Sequence, residues 1–126
     1  MSIQILYVDD EADIRTIVEF ALEDEEGFVI QLCASGAEAL VKTESYIPDI
    51  ILLDVMMPSM DGPTTLQQLR KKAHLQHTPV VFVTAKVQPH EVTQFKALGA
   101  VAVIAKPFDP MGLASQVWSI WQECQS

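Results

Sequence analysis

Acidic, hydroxyl and basic side chains stand at the ends of short apolar runs in this sequence. Asp9 and Asp10 follow the first run, Asp54 follows the third, Thr84 ends the fourth, and Lys106 follows the fifth. Crowded carboxylates raise one another's pKa, and a bound divalent cation relieves their repulsion. Mg²⁺ prefers oxygen ligands and commonly combines one or two carboxylates with water and phosphate oxygens. The five residues therefore predict a Mg²⁺ site that also handles phosphate.

The same residues can support transfer of a phosphoryl group. A carboxylate such as Asp54, placed beside Mg²⁺ and a lysine, can attack phosphorus and form an aspartyl phosphate. Lys106 would neutralise the phosphoryl charge, and the Thr84 hydroxyl would donate a hydrogen bond to its oxygens. Each residue alone has an ordinary structural alternative, such as a helix cap, a turn, a strand position or a surface charge. Their convergence on one predicted edge favours the chemical interpretation.

The elements that position these residues alternate between strand and helix. The predicted strands are Ile3–Val8, Phe28–Cys33, Asp49–Leu53, Pro79–Thr84 and Val101–Ala105. The predicted helices are Ala12–Asp24, Ser35–Glu44, Pro63–Ala73, Pro89–Leu98 and Asp109–Cys124. Such alternation implies parallel pairing with right-handed crossovers, and thus an α/β three-layer sandwich of five strands and five helices. Ligands of these sheets bind outside the carboxyl ends of the strands, where all five residues lie.

The length and composition of the chain exclude several classes of protein. The chain has 126 residues, which predicts one domain over 1–126 with no output domain, and a hydrophobic fraction of 49% supplies a core. The net charge of −9 disfavours direct nucleic-acid binding and adhesion to membranes. We see no signal peptide and no apolar run that could span a membrane, so we expect a cytoplasmic location. Cys33 and Cys124 are far apart in sequence and are expected to be reduced thiols.

Four segments resemble the receiver domains of response regulators in two-component signalling, also described as CheY-like. The segments are ILYVDDE, DIILLDVMMPSMDG, VVFVTA and GAVAVIAKPF, in the order in which that family has its strands one, three, four and five. The resemblance covers essentially the whole chain. It implies a flavodoxin-like fold with a five-stranded parallel sheet in the order 2-1-3-4-5.

The resemblance also implies a role for each site residue. Asp54 would be the phosphoacceptor, Thr84 the switch hydroxyl and Lys106 the lysine that pairs with phosphate. Asp10 would be a direct Mg²⁺ ligand, with Asp9 acting directly or through water. The implied metal ligands are thus Asp9, Asp10, Asp54 and the backbone carbonyl of Met56. The peptide bond before Pro107 is expected to be cis.

The implied function is a switch that is phosphorylated by a sensor histidine kinase or a histidine phosphotransfer protein. A downstream protein effector would bind the face formed by helix four, strand five and helix five. The domain would assist only its own phosphorylation and dephosphorylation, and would not be an enzyme acting on other molecules.

Val103 departs from the family pattern, which has an aromatic residue at this position. A β-branched side chain is stiff at χ1 and cannot swing as a ring does. Val103 therefore favours an alternative, a phosphorylation-independent interaction module on the same fold. Trp118 lies off the predicted inward stripe of the last helix, where it either packs on neighbouring side chains or contributes to a partner surface.

Two further alternatives fit the sequence less well. A Mg²⁺-dependent phosphohydrolase of the aspartyl-phosphate type would need an acid two residues after Asp54, where Met56 stands. Flavin binding would need an uncharged phosphate loop after the first strand, and the acidic run beginning at Asp9 would repel that phosphate.

Overall fold

Five parallel strands form the centre of the molecule. The computed structural model describes residues 2–23, 25 and 27–125. The strands are β1 Ile3–Val8, β2 Phe28–Cys33, β3 Ile50–Asp54, β4 Val80–Thr84 and β5 Ala102–Ala105. They pair in the order β2-β1-β3-β4-β5, and every neighbouring pair is parallel. This order confirms the predicted sheet.

Five α-helices cover the two faces of the sheet. They are α1 Ala12–Glu23, α2 Gly36–Lys42, α3 Gly62–Arg70, α4 Pro89–Ala97 and α5 Pro110–Gln125. A short 3₁₀ turn, Ala73–Leu75, follows α3. Among the described residues, no helix is both long and apolar enough to cross a bilayer.

The side chains of β1, β3 and β4 alternate between two hydrophobic cores. One core lies between the sheet and helices α1 and α5, and contains Ile5, Tyr7, Val18 and Leu113. The other lies on the face that carries α2 and α3. The central strands β3 and β4 are buried at every position, as expected for strands that are covered on both faces.

Strand β3 begins one residue later than predicted and includes Asp54 as its last residue. The residue before β3, Asp49, is hydrogen-bonded to β1. Its carboxylate accepts a hydrogen bond of 2.7 Å from the Gln4 amide, and its own amide donates to the Gln4 carbonyl at 2.8 Å. Strands β4 and β5 likewise begin one residue after their predicted starts.

Helix α3 ends three residues before its predicted end. The guanidinium of Arg70 donates hydrogen bonds of 2.7 and 2.6 Å to the carbonyls of Leu75 and Thr78, so the chain folds back over the helix end. Because these carbonyls lie beyond the helix, this boundary depends on contacts that helical periodicity does not encode.

Helices α1 and α4 begin at their predicted residues, and the other helix ends in the described residues differ from the predictions by one or two residues. Helix α2 is Gly36–Lys42 and not Ser35–Glu44, because Ser35 is its N-cap and accepts a hydrogen bond of 3.0 Å from the Glu38 amide. Helix α4 ends one residue early, and α5 is displaced by one residue at each end. Asp24, the predicted last residue of α1, lies outside the described residues.

Candidate metal and phosphoryl site

The register of the sheet brings the predicted site residues to one edge. Val8 of β1 lies beside Leu53 of β3, so the next residues, Asp9 and Asp54, are level with each other. On the other side, Thr84 at the end of β4 pairs with Ala105 of β5. Lys106 follows directly, and its side chain reaches back across the strand ends to Asp9 and Asp54.

Three carboxylates form a compact cluster at this edge. One ligand oxygen from each of Asp9, Asp10 and Asp54 lies within 4.8 Å of the other two. Asp9 and Asp54 are buried, whereas Asp10 is exposed. Hard oxygen donors at this separation, with one side open to solvent, suit Mg²⁺ and leave room for water or phosphate. The cluster therefore fits the predicted cation.

Lys106 is the cationic centre of the cluster. Its ammonium lies 2.9 Å from Asp9 Oδ2, 3.2 Å from Asp54 Oδ1 and 4.0 Å from Glu11 Oε1. Burial alone would lower the pKa of Lys106, but the hydrogen bond and charge of Asp9, together with the charge of Asp54, outweigh it and raise that pKa. Lys106 is thus charged at neutral pH and partly neutralises the carboxylates.

The surroundings of Asp54 disfavour the ionised form of its carboxyl group. Burial, followed by the negative charge of Asp9, raises the pKa of Asp54 to about 6, although Lys106 acts in the opposite direction. The site therefore tolerates a second ionised carboxylate poorly unless more positive charge is added. A divalent cation would supply that charge, which is a second indication that the residues fit one.

Asp9 is bonded on both carboxylate oxygens. Oδ2 accepts hydrogen bonds from the Tyr7 hydroxyl at 2.7 Å and from Lys106 Nζ at 2.9 Å, while Oδ1 accepts one from the Glu11 amide at 3.0 Å. Burial and the adjacent Asp9 raise the pKa of Tyr7, so its hydroxyl stays protonated and donates. The sequence analysis missed Tyr7, although strand alternation places residues 7 and 9 on the same side of β1.

The remaining predicted residues lie around this cluster. Thr84 is buried, and its Oγ1 accepts a hydrogen bond of 3.1 Å from the Lys86 amide, which leaves its own hydroxyl proton free to donate. Met56 lies in the loop after β3, with its side chain 68% exposed. The Lys106–Pro107 peptide bond is cis, which confirms that prediction.

Gly62 allows the start of α3 to approach the strand end that carries Asp54. Its amide donates a hydrogen bond of 2.9 Å to the Val55 carbonyl. A Cβ atom at this position would lie 2.5 Å from the Asp54 carbonyl oxygen, closer than real contacts allow. Helix α3 is therefore fixed directly against the segment that ends in Asp54.

Val103 and Trp118, which the sequence analysis singled out, lie on different parts of the molecule. Val103 is half-buried on β5, where it pairs with Phe82. Trp118 packs against Phe28, with ring centroids 5.9 Å apart, at the start of the opposite edge strand, β2. Trp118 thus packs on a neighbouring side chain and remains 44% exposed.

Solved structures show the same architecture. The chemotaxis response regulator CheY4 of Vibrio cholerae superimposes with a TM-score of 0.88 at 32% identity, covering 95% of this chain and 99% of that one. The receiver domain of the Francisella response regulator 1452 gives a TM-score of 0.85 at 26% identity, covering 97% and 98% of the two chains.

Sequence comparisons agree with the structural ones. Response regulator Rre1 of Synechocystis is 40% identical over 86% of this chain and 47% of its own length. The alkaline phosphatase synthesis transcriptional regulatory protein PhoP of Bacillus subtilis is 37% identical over 95% of this chain and 49% of its own. The chain thus spans about half the length of these curated relatives. Since residues 5–117 match the model of the response regulator receiver domain, the chain belongs to that family of two-component signalling proteins.

Proposed function

We propose that this domain is a signalling switch that accepts a phosphoryl group on Asp54, with Mg²⁺ bound, from a sensor histidine kinase or a histidine phosphotransfer protein. The observation that carries the proposal is the position of Lys106, within 3.2 Å of both Asp9 and Asp54 at the edge where three carboxylates meet. This arrangement combines a nucleophile, a cation for phosphate and ligands for a hard metal.

The transfer requires one bond to form and one to break. A carboxylate oxygen of Asp54 attacks phosphorus, and the bond between phosphorus and the donor imidazole breaks, so that the imidazole nitrogen leaves with the electron pair. The Lys106 ammonium pairs with the transferred group, and the Thr84 hydroxyl donates to one of its oxygens. Asp9, Asp10, Asp54 and the Met56 carbonyl would hold Mg²⁺, which would supply charge stabilisation at the phosphoryl oxygens.

The raised pKa of Asp54 links metal binding to reactivity. Only the ionised carboxylate is a nucleophile, and burial together with Asp9 disfavours that form in the metal-free protein. Added positive charge stabilises the ionised form and so prepares Asp54 for attack. A pKa of about 6 leaves Asp54 largely ionised at pH 7 even without metal, so this effect of the cation should matter most at lower pH. At neutral pH we expect phosphorylation to require a divalent cation because the phosphoryl oxygens need charge stabilisation.

The output surface in this proposal is the face formed by α4, β5 and α5. Within the described residues, α4 has no buried side chain, and the nearby Val87, Leu98 and Val101 are substantially exposed. An effector protein that binds the phosphorylated state would cover these apolar groups. We place the transfer of the phosphoryl group to Asp54 in the cytoplasm.

A phosphorylation-independent interaction module is the second candidate, and Val103 favours it. An aromatic ring at this position would move with the switch hydroxyl, which a valine cannot do. Against this candidate, the site keeps a complete set of carboxylates, hydroxyl and lysine.

The experiment incubates the purified protein with acetyl phosphate and Mg²⁺ and follows the mass of the intact chain. We expect a phosphate adduct that does not form when EDTA is present from the start, and does not form in the Asp54→Asn variant. Asp13→Asn is the matched control, since Asp13 is exposed in the first turn of α1. If the folded wild-type protein gains no phosphate with acetyl phosphate or a phosphorylated histidine donor, the interaction module is the better assignment.

A further inference from the structure

Asp9 is the most completely bonded carboxylate of the site. It is fully buried, and two donors already occupy its Oδ2 atom. Its backbone is fixed as well, because the Asp9 amide donates to the Cys33 carbonyl at 3.1 Å and the Asp9 carbonyl accepts from Arg15 Nη1 at 2.7 Å. A carboxylate oxygen has about two lone-pair directions, so Oδ2 has no capacity left for a further partner.

The donor that completes this set is a tyrosine hydroxyl within a hydrophobic strand. Tyr7 is 1% exposed and is packed in the core formed with α1 and α5. Its neighbours on the same side of β1 are Ile3 and Ile5, which bring only apolar contacts to this face. A buried hydroxyl is costly unless it is hydrogen-bonded, and the partner that meets this requirement is Asp9.

We propose that Tyr7 is a positioning residue that keeps Asp9 Oδ2 directed at Lys106 and so keeps this oxygen from competing with Asp10 and Asp54 for the cation. The proposal rests on the function proposed above. Tyr7 lies behind Asp9 in the core, and its effect on phosphoryl transfer passes through Asp9 and Lys106.

Removing the Tyr7 hydroxyl should change the affinity for the cation and the position of Lys106. Without this donor, Asp9 Oδ2 accepts one hydrogen bond fewer and carries more unshielded negative charge, so it attracts both the cation and Lys106 more strongly. The cation then binds more tightly, whereas Lys106 is less available to pair with the incoming phosphoryl group. Loss of packing alone would weaken both properties together.

The test compares Tyr7→Phe with the wild-type protein in two measurements. Mg²⁺ affinity is measured by competition with Mn²⁺, whose free-ion EPR signal reports its occupancy. The rate of phosphorylation by acetyl phosphate is measured at saturating Mg²⁺. The loss of one net hydrogen bond corresponds to changes of about two- to tenfold, and we expect tighter Mg²⁺ binding together with a slower saturated rate.

Tyr46→Phe is the matched control. Among the described residues, the Tyr46 hydroxyl is buried and has no hydrogen-bond partner, so removing it should change neither measurement. For Tyr7→Phe, unchanged values in both measurements would overturn the proposal. A fall in both affinity and rate, in step with a lower Tm, would also overturn it, because that result indicates packing alone.

A measurement on the wild-type protein keeps the test decisive if Tyr7→Phe does not fold. The Tyr7 hydroxyl proton, protected by burial and bonded to Asp9, should be visible by NMR and should shift on saturation with Mg²⁺. A protected proton that does not respond to Mg²⁺, or no protected proton at all, would contradict the proposal. Failure of the wild-type protein to be phosphorylated on Asp54 would instead refute the proposed function, which separates the two outcomes.

Discussion

Helices α3 and α4 have the same length and each follows a central strand, but α3 buries several side chains against the sheet and α4 buries none. Each has nine residues, and each follows a loop that leaves the site edge of a central strand. Helix α3 buries Gly62, Thr65, Leu66 and Leu69. Helix α4 buries none of its residues, and its main anchor is the half-buried Phe95, which packs edge-on against Phe82 with ring centroids 5.3 Å apart.

The helix next to the candidate site is thus firmly packed, whereas the helix in the proposed output face is loosely packed. Helix α3 begins against the backbone of Asp54 and is fixed by two fully buried leucines. Helix α4 follows Thr84 through a loop, residues 85–88, that is exposed throughout. Elements with few buried contacts open at low free-energy cost. A change at Thr84 is therefore expected to move α4 more readily than α3.

The largest effect expected from this comparison is on stability. Leu69→Ala in α3 removes a fully buried side chain, and we expect it to lower the free energy of unfolding by about 2–5 kcal/mol. The matched change Leu98→Ala, at the end of α4, alters a side chain that is 51% exposed, and we expect a loss within about 0.5 kcal/mol. Urea denaturation followed by circular dichroism measures both. Similar losses at the two positions would contradict the difference in attachment.

The second prediction concerns the burial of Asp54 next to α3 and the repulsion of its carboxylate by Asp9. The pKa of Asp54 is raised to about 6 from an ordinary value of 3.8, so the folded state binds this proton more tightly than the unfolded state does. Stability is therefore lost as the pH rises from about 4 through 6. Asp54→Asn removes this loss, and without metal we expect it to stabilise the fold at pH 7 by about 1–3 kcal/mol.

The control for this prediction is pH itself. At about pH 3 and below, Asp54 is largely protonated in both the folded and the unfolded state, so the gain from Asp54→Asn should largely disappear. Mg²⁺ should stabilise the wild-type protein more than the variant, because the variant lacks one carboxylate ligand. A gain that is equal at low and neutral pH would indicate a packing effect and not the cost of ionising a buried carboxyl group beside Asp9.

Much of the fold was predictable because its signals are local. Strands β3 and β4 are nearly continuous in Ile, Leu, Val and Phe, which is the pattern of strands buried on both faces. The edge residues Asp54, Thr84 and Lys106 were predictable from where these runs end. Their convergence followed from parallel pairing alone.

Other features depend on contacts that no local pattern shows. The end of α3 is set by Arg70, which bonds to carbonyls of a later segment. Lys106 forms ion pairs with both Asp9 and Asp54, and these pairs depend on where the side chains at the ends of different strands lie. Tyr7 is an intermediate case, because alternation along β1 places it beside Asp9, although its position in an apolar run suggests only a core residue.

The smallest expected effect is the most direct test of the difference between α3 and α4. Hydrogen exchange is measured with and without Mg²⁺ and beryllofluoride, used as a phosphoryl mimic on Asp54. We expect protection to change mainly in the amides of α4 and the preceding loop, by about tenfold, which corresponds to ~1.4 kcal/mol. The amides of α3 should change less, since its buried leucines hold it on the sheet.

The stiff side chain of Val103 cannot change its rotamer together with Thr84 as an aromatic ring would, so the change in protection should be centred on the loop and the start of α4 and be weaker along β5. Equal changes in α3 and α4 would mean that the whole site edge moves as one unit, and a response confined to the site would favour the phosphorylation-independent module.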